Sequence, residues 1–442
     1  MPLPFPTRLA LACALAVAAA APVHAESLSE VYEIARGYDA TYLAARASAD
    51  SAQYRLAQAR AGLRPRLGLT ADYTRAESES LQDSESRGPS ARVQGSQPLF
   101  NRTTNVSIEQ AERSVDISMA DLQTAEQELI VRVAQTYFDV LAAQDTLTTA
   151  RAGKTAIAEQ LASAKRNFEV GTATITDTRE AQARFDLSTA QEIAAENDLR
   201  IKRLALDQLI GRAGVDPRPL ALPVVLPPVL PVNVDDWVSE SESAPAVRKA
   251  QLGFDVAKLE TEKARAGHLP TFDLNASYGR GRTDLTTRTG PVSTNYNGGT
   301  MQSSVGVTMT LPIFSGFAVQ NRVKETLALE EQSRNTLDAT RRAVAQATRT
   351  AFFGVQSGEA QVKALEAAES SSQLAVESTQ LGYKVGVRVN IDVLNAQTQL
   401  YQTRRDLAKA RYDVIVNSLR LRQAAGRLQP AAIGAANQLL AP

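Results

Sequence analysis

The chain is predicted to be mainly α-helical with a β-barrel part: long antiparallel coiled-coil helices plus four membrane strands, arranged as two copies of one unit. Three observations carry this. No proline occurs between Phe100 and Asp216, or between Ile313 and Gln429; such spans far exceed the roughly 8 to 20 residues of an ordinary helix. The stretches in front of them alternate apolar and polar residues with the period of a strand. The motifs also recur. Ala59-Arg60-Ala61-Gly62 with Pro65, Leu69, Ala71 and Tyr73 returns as Ala264-Arg265-Ala266-Gly267 with Pro270, Leu274, Ala276 and Tyr278. Gln97-Pro98-Leu99-Phe100 returns as Leu311-Pro312-Ile313-Phe314, and Phe168-Glu169-Val170-Gly171 with Asp177 as Tyr383-Lys384-Val385-Gly386 with Asp392.

Residues 1–25 read as a secretory signal: Arg8 supplies the charge, Leu9 onward the apolar run, and Val23-His24-Ala25 the cleavage site. The single cysteine, Cys13, falls inside it, so the mature chain is expected to carry neither a disulfide nor an acylated N-terminal cysteine. Export without cysteine suits a bacterial envelope protein.

The first repeat, residues 26–213, is expected to hold strands at 65–75 and 90–100 and long helices at 101–168 and 174–211. Leu67, Leu69, Ala71 and Tyr73 alternate with Arg66, Gly68, Thr70 and Asp72. Leu122, Leu129, Val133, Tyr137, Val140 and Leu147 track an apolar stripe along the first long helix. Residues 214–244 form a connector in which Pro223, Pro227, Pro228 and Pro231 favour extended chain. The second repeat, residues 245–429, has strands at 270–280 and 302–312 and helices at 318–382 and 390–426. Val393, Leu400, Leu407, Val414 and Leu421 share one heptad position there. Residues 77–89 and 283–299 read as polar hairpin loops, and residues 430–442 as a flexible tail. A helix of about 60 residues reaches about 90 Å, enough to cross a periplasm.

No segment after the signal has the roughly 18 unbroken apolar residues of a membrane helix, so membrane contact must use strands. Four strands leave edges that cannot go unpaired in lipid, and a barrel needs about eight or more. Several identical chains must therefore share one barrel; two, three or four satisfy the arithmetic. Soluble hairpins capping a coiled coil are the alternative.

Charge is balanced, with 48 basic and 48 acidic residues, so no basic field invites nucleic acid. Aromatics are only 5%, which suits packed helices better than a thick globular core. The only histidines are His24 and His268, which argues against imidazole metal sites and Ser-His-Asp chemistry. No cofactor, metal or catalytic residue is expected. The remaining candidates are the hairpin tips. Gly171 and Gly386 end one helix each, Thr174 or Asn390 caps the next, and Asp177 or Asp392 complements its dipole. Arg388 is the anomaly, a cation at a helix start where a carboxylate partner would help; Asp177 of the facing hairpin is the candidate.

The tip Gly382-Tyr383-Lys384-Val385-Gly386-Val387-Arg388 followed by Asp392-Val393-Leu394, with Val170-Gly171 and Ile175-Thr176-Asp177 in the first copy, resembles the TolC-type outer-membrane efflux and type I secretion channels, unlipidated branch. The likeness runs over residues 26–429. It implies an obligate homotrimer in the bacterial outer membrane, its strands forming one barrel in lipid and its helices a helical barrel, or tunnel, in the periplasm. The implied function is the exit duct of a tripartite efflux pump or type I secretion system. The implied partners are a periplasmic adaptor (membrane fusion) protein and an inner-membrane transporter of RND, ABC or MFS type. Carried over by motif, Thr176, Asp177, Tyr383 and Arg388 form the entrance gate, and Asp392 is the first member of an acidic entrance ring. The ring's second position is Asn395 here, which leaves one ring carboxylate per subunit. A trimeric coiled-coil structural or adhesive envelope protein, anchored by a small barrel, is the rival reading.

Overall fold

The computed structural model describes residues 26–441 apart from 80–82, 222, 225 and 227; the signal read at residues 1–25 lies outside them. Two short-to-medium helices, α1 (Leu28–Tyr38) and α2 (Ala40–Ala61), precede strands β1 (Arg66–Ser78) and β2 (Asp83–Phe100). Long helices α3 (Arg102–Glu169) and α4 (Ile175–Ile210) follow. After α5 (Val234–Glu240) and a 3-10 turn, the order helix, two strands, two long helices occurs again. Its members are α6 (Pro245–Ala266), β3 (Thr271–Thr289), β4 (Val292–Thr310), α7 (Ala318–Lys384) and α8 (Asn390–Ala424). A last helix, α9, spans Ala431–Asn437. With 68 residues, α3 is about 100 Å long. Among the described residues no helix is long and apolar enough to cross a membrane.

The chain divides into two compact units. The unit of Ala45–Leu122 and Ala246–Arg341 contains one antiparallel sheet in the order β1-β2-β3-β4. Its register lines up side chains of like character. Leu67 pairs with Gly95, Gly95 with Ala276 and Ala276 with Val305; the next row in phase runs Leu69, Val93, Tyr278, Ser303. The opposite face carries Gly68, Gln94, Ser277 and Ser304, then Thr70, Arg92, Gly279 and Gln302. Because successive side chains alternate, one face is apolar and the other polar. The apolar face is largely bare: among its large exposed side chains, exposure runs from 45% at Val93 to 81% at Leu67. Among the described residues the outer sides of β1 and β4 have no strand partner.

The strands extend past the ranges expected from alternation, and the segments read as loops are largely strand. The β1–β2 ladder continues from Tyr73↔Pro89 to Ser78↔Ser84, and β3–β4 runs to Thr289↔Val292, where Gly290 turns at φ +58°. Ladder bonds belong to the backbone, so a polar, wet segment pairs as readily as an apolar one. Gly88 is demanded by close approach, since a Cβ there would lie 1.7 Å from the Arg282 carbonyl oxygen.

The other unit gathers the chain up to Ala44, Gln123–Pro245 and everything from Arg342. Its core is the coiled-coil seam. Val393, Leu400, Leu407, Val414 and Leu421 are all buried, from 0% at Val393 to 3% at Leu400, as one face repeated every seven residues must be when helices pack along it. Leu407, Val414 and Leu421 pack in a cluster with Trp237, Phe352 and Val355, and the Phe138 ring stacks on Tyr412 at 5.7 Å. Tyr137 donates to the Glu26 carbonyl at 2.9 Å and accepts from the Arg218 backbone at 2.8 Å, fastening the first described residue to the connector.

Two parts of this unit depart from the sequence reading. The connector holds a helix beyond 221–231, the proline-spaced stretch read as extended: Asn233 caps α5, whose Trp237 is buried and donates to the Pro231 carbonyl at 2.8 Å. The tail is ordered, because Ile433 and Leu440 are apolar and find a place to bury, at 2% and 6% exposure, while Ala441 donates to the Pro219 carbonyl. Helices α2 and α6 had no counterpart in the sequence reading. Their alanine-rich sequences favour helix but carry no continuous large apolar stripe.

Candidate functional site

The hairpin tips of α3–α4 and α7–α8 lie side by side in the coiled-coil unit and form the candidate site. The two turns have the same construction. Gly171 and Gly386 sit at φ +77° and +78°, the left-handed conformation that glycine adopts without a steric penalty. In the first, the Asn167 carbonyl accepts from Thr172 and Ala173 at 2.8 and 3.1 Å; in the second, the Gly382 carbonyl accepts from Val387 and Arg388 at 2.8 and 3.1 Å. Those carbonyls end helices that would otherwise leave them unpaired.

The helices that leave the turns begin differently. Thr174 caps α4 in a reciprocal box: its hydroxyl accepts from the Asp177 backbone at 3.2 Å, and Asp177 Oδ2 accepts from the Thr174 backbone at 3.0 Å. Asp177 is therefore engaged locally. Helix α8 has Val389 at its cap position, with no side-chain cap. Asn390, expected to be that cap, is instead buried at 1% and points away from the turn. It accepts from Gln160 of α3, and its Nδ2 donates to the Asp177 carbonyl at 3.3 Å. The reason is position: Asn390 faces the other hairpin, where its amide meets one donor and one acceptor.

The expected pairing of Arg388 with Asp177 does not form within the chain. Arg388, in the turn before α8, lies 3.5 Å from Asp392, which is four residues on in the first turn of that helix. Its side chain is 59% exposed and that of Asp392 34%, so the contact is weak. Tyr383 does tie the hairpins together, but through Asn167, whose Nδ2 donates to the tyrosine hydroxyl at 3.0 Å. Thr176 is exposed. Asn395 accepts from Arg184 of α4 at 3.0 Å.

The expected bond of Tyr383 to the Thr176–Asp177 pair is replaced within the chain by the one to Asn167, and sequence reasoning missed Asn167, Gln160, Arg184 and the position of Asn390. The available signal was faint: polar residues at inward positions of helices otherwise lined by Ile157, Leu161, Ala164, Ala181 and Leu394, which form a buried cluster between the hairpins. Adjoining it at Ile157 is a cavity of about 520 Å³ lined also by Lys154, Arg184, Ser188 and Tyr401; a Cβ on Gly153 would stand 3.2 Å from the Tyr401 ring. Among the described residues no cluster of His, Cys, Asp or Glu is arranged to hold a metal ion.

Comparison with known proteins agrees with this anatomy. Outer membrane protein TolC of Escherichia coli is 33% identical over 425 residues, covering 94% of this chain and 85% of that protein. The alkaline protease secretion protein AprF of Pseudomonas aeruginosa is 31% identical, covering 92% of this chain and 86% of its own length. The crystal structure of the outer membrane protein VceC from Vibrio cholerae superposes with a TM-score of 0.76 at 17% identity, covering 90% of this chain and 96% of that one, so the fold is shared. The sequence profile of the outer membrane efflux proteins matches two stretches, residues 31–212 and 239–427. The chain belongs to the outer membrane efflux protein family.

Proposed function

We propose that three copies of this chain build one outer-membrane exit duct, serving a tripartite efflux pump or a type I secretion system. The single observation that carries the reading is the sheet. Four strands with one bare apolar face and two unpartnered edges cannot stand in lipid alone, whereas the same sheet repeated about a three-fold axis closes a barrel of adequate size. The apolar face then meets lipid and the polar face lines a wet lumen. Relatives named for efflux and for alkaline protease secretion support both transport roles. A transporter in the inner membrane and a periplasmic adaptor would supply energy and recruitment. Family membership sets aside the structural or adhesive stalk.

In this reading the hairpin tips are the periplasmic iris. Arg388, loosely tied to Asp392 within its own subunit, is free to exchange that partner for Thr176 or Asp177 of a neighbouring subunit, and Tyr383 holds the inner hairpin against Asn167. Charge-assisted hydrogen bonds of this kind contribute roughly 1.5 to 3 kcal/mol when shielded and less when wet. Three symmetric sets would bias the helices closed yet leave a docked adaptor able to open them. Asp392 supplies the ring carboxylate.

The test is single-channel recording of the purified protein in planar bilayers, with chemical crosslinking to count subunits. Current through a crosslinkable trimer is expected, rising in Arg388→Ser and Tyr383→Phe. A monomer that passes no current overturns the duct. Unchanged conductance in the double substitution removes the gate assignment and leaves the duct.

A further inference from the structure

The first residue of α8 is an asparagine in a place where apolar packing would be the ordinary solution. Asn390 is 1% exposed and stands beside the cluster of Leu161, Ala164, Ala181 and Leu394. A buried amide without partners costs free energy, and this one is satisfied only by groups of the opposite hairpin: Gln160 on α3 and the Asp177 carbonyl at the start of α4. The contacts differ in kind from those at the rim. Arg388 and Asp392 are open to water, so their attraction is screened, while in the Gln160–Asn390–Asp177 relay the central Asn390 amide is buried and its two partners are half-buried.

We infer that Asn390 is the positioning residue that registers the two hairpin tips against each other, through a buried amide relay from Gln160 to the Asp177 backbone. The inference rests on reading the tips as the parts that move. A buried polar residue in a coiled-coil seam fixes register because any slip along the helices leaves it unpaired. Here a slip would leave the Asn390 amide unpaired, and the Asp177 carbonyl at the start of α4 would lose its cross-hairpin partner. Two consequences follow. Asp177 is held from behind through its backbone, which keeps its carboxylate in the Thr174 box. And opening the tips must break the relay as a unit, which makes the closed arrangement two-state instead of gradually deformable.

The experiment uses the full-length protein in detergent and reads amide hydrogen exchange over residues 168–182 and 383–394, with thermal unfolding of the same samples. Asn390→Leu is expected to accelerate exchange at the tips roughly tenfold, as loss of both hydrogen bonds of a buried amide should, and to lower the unfolding midpoint. The variant Gln160→Leu/Asn390→Leu replaces both side-chain partners with apolar groups. It is expected to recover the midpoint while the tips go on exchanging fast, because packing is restored and register is not. If Asn390→Leu exchanges like the wild type, or if the double variant regains midpoint and protection together, Asn390 is mere filling and the inference falls. Bilayer recordings separate this from the duct: a wild-type protein without current overturns the duct alone, and the exchange result stands.

Discussion

Arg184 of α4 donates through Nη2 to Oδ1 of Asn395 on α8 at 3.0 Å, joining the two hairpins at the position where resemblance placed a second ring carboxylate. The amide keeps the contact neutral on one side, so the arginine charge is not cancelled there. Asn395→Asp would convert it to an ion pair. In a KCl gradient, the reversal potential is expected to move only slightly toward cation selectivity in Asn395→Asp, and further in Arg184→Gln/Asn395→Asp, where the new carboxylate stands uncompensated. Equal shifts in the two variants would dissociate Arg184 from the entrance.

Asp145 on α3 accepts a 2.7 Å hydrogen bond from the Tyr412 hydroxyl on α8. Burial pushes the Asp145 carboxyl above its ordinary value, against the opposing effects of that bond and of Arg411. Burial likewise raises the Tyr412 phenol, which therefore remains the donor. A carboxyl whose folded pKa is raised binds its proton more tightly in the folded state. Its favourable contribution is complete below the unfolded pKa near 4 and is lost as pH rises through the folded value. Asp145→Asn keeps an acceptor for Tyr412 and removes the buried charge. Its unfolding midpoint is expected to equal or exceed that of the wild type at pH 7.5 and to change less between pH 4 and pH 7.5, measured by circular dichroism melts.

Gly386→Ala should destabilise the second tip by about 1 to 2 kcal/mol through backbone strain alone, since φ is +78° and nothing lies within 4 Å of a Cβ there. Gly386→Asn, which tolerates that conformation better, should cost less. Denaturant or thermal unfolding of the pair gives the order; a reversed order would mean the turn relaxes.

Ile433 of the last helix is buried at 2%, and truncating such a side chain typically costs about 2 to 5 kcal/mol. Ile433→Ala is expected to lower the unfolding midpoint and to speed proteolysis of the segment after Gln429. A variant as protease-resistant as the wild type would restore the flexible tail.

Most of the architecture was legible because it follows from periodicity. A missing proline over more than a hundred residues, a seven-residue recurrence from Val393 to Leu421, and a two-residue alternation from Leu67 to Tyr73 are each consequences of one repeated backbone geometry, and each is written into consecutive residues. Strand ends were not legible, since Glu77 and Thr287 pair through backbone groups that leave no mark on composition. Nor was burial of the tail, which depends on Ile433 finding a cleft and not on its neighbours in sequence.

For the tips the division is sharper. By itself the sequence determined where the chain turns, at Gly171 and Gly386, and which polar residues are available there, because left-handed backbone and capping chemistry are local. Only the tertiary structure decided how those residues pair: Asp177 with Thr174, Arg388 with Asp392, Tyr383 with Asn167, Asn390 with Gln160 and the Asp177 backbone. The reason is physical. A side chain with several partners within reach takes the one that packing brings close, and that geometry is a property of four helices together.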